Sequence, residues 1–163
     1  MSYIDRWGNH HAQDHQKITR SRSGAFAVIL TDTHILLTWP KYNPGSAELP
    51  GGGLEPHENA YQAVRREILE ETGFVLPPIR TTREYTHQVK YYAEDVQEFW
   101  DYTQKYFVFH LGGRDTVNIK DRLVPTDADR ALWVARADLN DMMFHAVHKK
   151  TLKLLECWPA SPF

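Results

Sequence analysis

Three consecutive glycines, Gly51 to Gly53, read as a loop that feeds a stretch with helical periodicity ending at Gly73, and this stretch constrains the fold more than any other. Asn59 is placed to cap the helix with Gln62 as its reciprocal partner, and Gly73 stands where a left-handed residue closes it. At about 100° per residue, Ala60, Ala63 and Val64 share one side, and Glu67, Glu70 and Glu71 continue it. Three carboxylates on a stripe expected to pack inward repel one another and lose hydration, a cost that a divalent cation relieves. Ligands that are all oxygen favour Mg²⁺ or Mn²⁺. The glycines, lacking side chains, let backbone approach a ligand closely. The same helix can be read as a solvated charged face with Arg66 and Glu70 as an i,i+4 pair. The place of the carboxylates on the apolar side, and the glycines before them, favour the metal-binding reading.

The spacing is specific. Gly52, five residues, Glu58, seven residues, Arg66-Glu67, Ile68, one residue, Glu70-Glu71, one residue, Gly73 and Phe74 resembles the signature box of the Nudix (MutT-like) hydrolases. Seven fixed identities coincide by chance at ~10⁻⁹ per starting position. Phe74 departs from the Ile, Leu or Val usual there but stays apolar. The resemblance implies an α/β/α sandwich with a mixed sheet between helices. It implies that Glu67, Glu70, Glu71 and the carbonyl of Gly51 bind the metal, that Glu67 doubles as general base, and that Glu58 and Arg66 orient the cluster through an ion pair. A further acidic ligand from a later loop is also implied, with Asp115, Asp121, Asp127, Asp129, Glu94 and Glu98 as candidates.

The box covers little of the chain, and the rest reads as follows. With 163 residues and 42% hydrophobic content the chain suits one cored domain, residues 1–163. A net charge of -2 gives no basic footprint for long nucleic acids, and phosphate-bearing substrates would have to be met by local cations or metal; the small nucleotide expected as partner is what the resemblance implies. One cysteine, Cys157, permits no internal disulfide, and no apolar run approaches membrane-spanning length, so a soluble cytoplasmic protein is expected. Residues 1–23 are polar and carry His10, His11 and His15, which reads as a flexible segment in preference to a metal site.

Gly24–Thr31 and His34–Trp39 read as a hairpin turning at Asp32-Thr33. Lys41–Ala47 is a loop beside the expected site. Trp39 at the strand end and Tyr42 in this loop are read as packing residues in preference to base-stacking ones, and Lys41 as able to reach a phosphate. Ile79–Tyr92 and Lys105–Leu111 are expected as neighbouring strands. The acidic, aromatic Ala93–Tyr102 between them reads either as a substrate or homodimer loop or as a surface turn with an apolar anchor. Gly112–Arg130 is a polar loop, Ala131–Ala135 a strand and His145–Glu156 a helix. Strands interrupted by one helix and closed by another predict a mixed sheet covered on both faces.

The chemistry implied is metal-dependent hydrolysis of a diphosphate. The family resembled acts on nucleoside diphosphates linked to a second moiety. Tyr91 and Tyr92 sit roughly where its diadenosine polyphosphate hydrolases carry a tyrosine, and the proline associated with its ADP-ribose hydrolases is missing. Nucleoside triphosphates, normal or oxidised, stay among the expected substrates. The alternative is an inactive domain that binds a nucleotide and regulates, for which loss of box carboxylates would be the sign.

Overall fold

A computed structural model of the chain describes residues 1–112 and 123–158. Eight strands form one mixed sheet in the order β2-β1-β6-β7-β3-β4-β8, with β5 pairing β3 off that path. In chain order the elements are β1 (Ser2–Ile4), β2 (His10–Ala12), β3 (Thr19–Leu30), β4 (His34–Pro40), β5 (Gly51–Gly53), α1 (Ala60–Thr72), β6 (Arg83–Ala93), β7 (Glu98–His110), β8 (Ala128–Ala135) and α2 (Ala146–Leu154). A 3₁₀ segment, Arg136–Asp141, precedes α2.

The sheet alternates its side chains between two cores, as period-two geometry demands. On one face Ala25, Ala27 and Ile29 of β3 and Phe107 and Phe109 of β7 pack with Ala63, Val64 and Ile68 of α1. On the other, Phe26 and Val28 of β3 and Tyr106 and Val108 of β7 pack with Val147 and Leu152 of α2. This is the α/β/α sandwich with a mixed sheet. The central pair, β3 and β7, is parallel over twelve residues, from Thr19 opposite Phe99 to Leu30 opposite His110.

Helix α1 starts and stops as its sequence dictates. The Asn59 side chain accepts from the amides of Tyr61 and Gln62, and Gln62 accepts from the Asn59 amide. Gly73 closes it at φ 69°, and a Cβ there would lie 2.5 Å from the Val124 carbonyl, so both backbone angle and space call for glycine. Its buried stripe is Ala63, Val64, Ile68 and Thr72. The carboxylates border this stripe instead of continuing it. Glu67 is 12% exposed and Glu70 43%, because Ile68 and Thr72 take the central positions.

Four expectations are corrected. Residues 1–23 include β1, β2 and the start of β3. Their polar sequence hides apolar anchors: Tyr3 is 1% exposed in a cluster with Tyr92 and Phe99, and buried Arg6 donates to Glu94 at 3.0 Å. His11 bonds Asp5 at 2.9 Å. Ala93–Tyr102 is no loop. It completes β6, turns, and begins β7, in an antiparallel hairpin running from Arg83 opposite Val108 to Ala93 opposite Glu98. Its acids face partners at home, Glu94 on Arg6 and Glu98 on Arg20. The Gly51–Gly53 run is a short strand, antiparallel to Gly24–Phe26. The polar loop expected up to Arg130 gives way to strand at Ala128. Trp39 is core, 5% exposed, with the Arg130 guanidinium 4.6 Å from its ring centroid. No helix among the described residues is long and apolar enough to cross a membrane.

Candidate active site

The site forms where α1 passes the glycine strand. A Cβ on Gly52 would lie 2.5 Å from Oε1 of Glu67, so glycine is what admits that carboxylate against the backbone. The amide of Gly51 donates to Glu71 Oε2 at 2.9 Å, joining positions twenty residues apart. Arg66 organises the remaining acids. Its Nη2 and Nε donate to the two oxygens of Glu58 at 2.8 and 3.2 Å, and Nη2 also reaches the Gly53 carbonyl at 3.2 Å. Its Nη1 donates to Glu67 at 2.9 Å and Glu70 at 3.0 Å.

Burial raises the pKa of Glu67, with Arg66 opposing the shift. Burial likewise raises Glu71 well above the ordinary carboxylate range, the Gly51 amide opposing and Glu67, Glu48 and Asp127 adding repulsion. Among the described residues no three His, Cys, Asp or Glu side chains are gathered as a finished metal cage. The Arg66 guanidinium stands between Glu67 and Glu70 in the role a second cation would share. In donor chemistry the residues fit a hard divalent ion: carboxylate oxygens, held half-buried at a cost in charge, beside a glycine strand.

The later acids separate by position. The amides of Thr126 and Asp127 donate to the Glu70 carbonyl at 2.8 and 3.0 Å, docking that turn on the end of α1 and bringing Asp127 beside the cluster. Lys41 donates to the Thr126 carbonyl at 2.9 Å and lies 3.9 Å from Asp127. Asp129 sits exposed on β8. Glu94 and Glu98 are engaged at the β6–β7 hairpin, and Asp115 and Asp121 lie outside the described residues.

Sequence reasoning missed Glu48. It is 8% exposed, and one oxygen accepts from the Tyr42 hydroxyl at 2.9 Å. The other, Oε1, is buried with no hydrogen-bond partner. A lone acid between Ala47 and Leu49, just ahead of the glycines, was the available signal. Desolvation pushes its pKa up to about 7, against the Tyr42 bond and Arg6, which lower it. Glu48 lines a cavity of about 110 Å³ together with Gly51, Gly52, Tyr91, Trp100 and Tyr102. His145, pushed down to about 3 by burial, and His148, held well below the ordinary histidine range by burial, are neutral there. His148 Nδ1 accepts the Leu49 amide at 3.1 Å, so its proton sits on Nε2. Tyr91 is in this wall, whereas Tyr92 packs with Tyr3 and Phe99.

The raised pKa makes a stability prediction. The folded state holds the Glu48 proton more tightly than the unfolded chain, so the stability it contributes is complete below pH 4.5 and is lost as pH rises through about 7. Glu48→Gln is therefore expected to be more stable than the native protein at pH 8, by roughly 3 kcal/mol at most, and equal to it near pH 4.5. Denaturant midpoints measured across that range test this. Parallel pH profiles for the two proteins would sink it.

A mixed sheet between two helices, with a glycine strand delivering backbone to a helix rich in carboxylates, makes the chain an α/β/α sandwich with its candidate site where that strand meets the helix. The sequence model of the NUDIX domain matches residues 21–155, and the chain belongs to the Nudix family. A nucleoside triphosphatase of Klebsiella pneumoniae, NudI, is 33% identical over 113 residues, which are 67% of this chain and 75% of that one. A Bacillus subtilis relative is 41% identical over 51 residues, 31% of this chain, and the match spans only 34% of that relative's length. Among solved structures, a MutT NUDIX hydrolase from Burkholderia pseudomallei superimposes with a TM-score of 0.55 at 26% identity, covering 82% of this chain and 96% of that one.

Proposed function

We propose that the protein hydrolyses a diphosphate linkage in a nucleoside diphosphate joined to another moiety, with a nucleoside triphosphate, a dinucleoside polyphosphate or a nucleotide sugar as the substrate. The observation that carries this reading is the placement of Glu67 and Glu71 against the glycine strand, Glu67 beside Gly52 and Glu71 on the Gly51 amide, with Glu70 joined to Glu67 through Arg66 Nη1. Glu67, Glu70, Glu71 and the Gly51 carbonyl would hold Mg²⁺ or Mn²⁺. The ion would neutralise charge on the diphosphate and make water acidic enough to attack phosphorus near neutral pH.

Glu67 is the general base in this reading, because burial leaves its carboxylate a stronger proton acceptor than an exposed one. Arg66, fixed by Glu58 at two points, sets the rotamers of Glu67 and Glu70 and screens their repulsion. Asp127 is placed to add a further carboxylate. The whole chain acts as one domain, in the cytoplasm, on a small nucleotide.

The test is phosphate-ester release from nucleoside triphosphates, dinucleoside polyphosphates and nucleotide sugars, with Mg²⁺, with Mn²⁺ and with chelator. Metal-dependent cleavage of one class well above the others is expected. Silence from folded protein across the whole panel would overturn the hydrolase reading in favour of a nucleotide-binding module.

A further inference from the structure

Residues 1–20 lie outside the part of the chain matched to the family, residues 21–155, yet they send one side chain to the edge of the site. Arg6 is 6% exposed. Its Nε and Nη2 donate to the two oxygens of Glu94 at 3.0 and 3.4 Å, and Nη2 lies 3.6 Å from Asp95. Its carbonyl accepts the Ala146 amide, at the start of α2, at 2.7 Å. The turn that carries it is tied down by buried Asp5, which accepts from the amides of Trp7 and Asn9 at 2.9 and 2.8 Å and from the Asn9 side chain at 3.0 Å. A guanidinium paired along its edge keeps its flat face for an aromatic ring, and here the Tyr42 ring centroid lies 4.7 Å from Arg6 Cζ.

Tyr42 stands in the middle of the loop that leads to the glycine strand. It is an exposed residue, and its hydroxyl donates to Glu48 Oε2 at 2.9 Å. The ends of the loop are held by other means: Lys41 donates to the Thr126 carbonyl, and the amides of Ala47 and Glu48 donate to the carbonyls of Met143 and Thr38 at 2.9 Å each. Its middle has only short turns of its own, Asn43 on Pro40 at 3.0 Å and Ser46 on Asn43 at 3.2 Å. The geometry points to Arg6 as a positioning residue of the site: it clamps the Tyr42 ring, and through the Tyr42 hydroxyl it fixes Glu48 and the approach of the chain to Gly51. A plain staple of the N-terminus would need Glu94 and Asp95 alone. Arg6 meets none of the α1 carboxylates, so its effect falls on how substrate fits and not on the attack at phosphorus.

This deepens the hydrolase reading and rests on it for the substrate, so one arm of the test needs no turnover. Native-state hydrogen exchange of the full chain is measured for the native protein, Arg6→Met, Arg6→Lys and Tyr42→Leu. Arg6→Lys keeps the charge against Glu94, which secures the fold, but loses the two-point hold and the flat face. In all three variants the amides of Asn43, Ser46 and Glu48 are expected to exchange faster, about tenfold in Arg6→Met, with those of α1 unchanged. The other arm is kinetic, on the substrate class that the panel identifies. Arg6→Met, Tyr42→Leu and the double variant are expected to raise KM about tenfold alike, with kcat within about twofold, because the two residues act as one unit. Unchanged exchange across residues 42–48 in the Arg6 variants, faster exchange spread equally through α1 and β3, or KM effects that multiply in the double variant would overturn the proposal and leave Arg6 a staple of the N-terminus. If the native protein cleaves nothing on the panel, the hydrolase reading fails by itself, and the exchange arm decides the positioning role.

Discussion

Glu70→Gln is expected to lower metal-dependent turnover by about two to three orders of magnitude while leaving the fold intact. The side chain is 43% exposed, and its one recorded side-chain bond is accepted from Arg66 Nη1 at 3.0 Å. The amide keeps the shape and can still accept from Arg66 through its carbonyl oxygen, so the melting temperature should move little. What is lost is the negative charge that would face the cation. The loss should fall on kcat more than on KM if Glu70 acts on the reacting phosphate, and circular dichroism should match the native protein. Native turnover from the variant would remove Glu70 from the site.

The second large effect concerns Arg66. Its guanidinium is the shared partner of Glu58, Glu67, Glu70 and the Gly53 carbonyl. Arg66→Met keeps much of the stem and removes the charge, leaving half-buried carboxylates facing one another. Breaking a paired, largely buried charge in this way is expected to lower the melting temperature by about 5–15 °C, less than for a fully buried pair because Arg66 is 23% exposed. Turnover should fall as well, since Glu67 loses its rotamer lock. The readout specific to this account is divalent cation: Mg²⁺ should raise the melting temperature of the variant more than that of the native protein, because it finds more uncompensated charge. Equal increments in both would mean that Arg66 is packing and not counter-charge.

Local rules made α1 and the β3–β4 hairpin readable from sequence. The Asn59 cap, the Gly73 stop and the alternation through Ala25, Ala27 and Ile29 depend on neighbours a few residues away. The first twenty-three residues and the 93–102 stretch were not readable, because their order comes from remote partners. Tyr3 finds Phe99, Arg6 finds Glu94, and β1 runs parallel to β6 at Ile4 opposite Tyr91. Polar composition there signals charge that is paired across the fold, which a linear reading takes for solvent exposure. The carboxylate spacing on α1 was legible, but its depth was not. Periodicity placed Glu67 and Glu71 on the apolar side, whereas packing gave the centre of the stripe to Ile68 and Thr72. Glu48 was missed for a different reason: a lone acid between apolar residues is visible in the sequence, but its meaning depends on an oxygen having no partner, which only the folded environment reveals.

The parallel pairing of β3 with β7 also bears on how the chain is made. Twelve consecutive residues of β3 wait for partners about eighty positions further along. A ribosome synthesises β3, β4 and the whole of α1 before it adds the first residue of β7. During that interval the apolar run Phe26 to Leu30 has its central edge open, and such an edge is what neighbouring nascent chains can pair with. Slowing translation beyond α1 would lengthen the exposure, and the yield of soluble protein should depend on how quickly residues 98–110 follow.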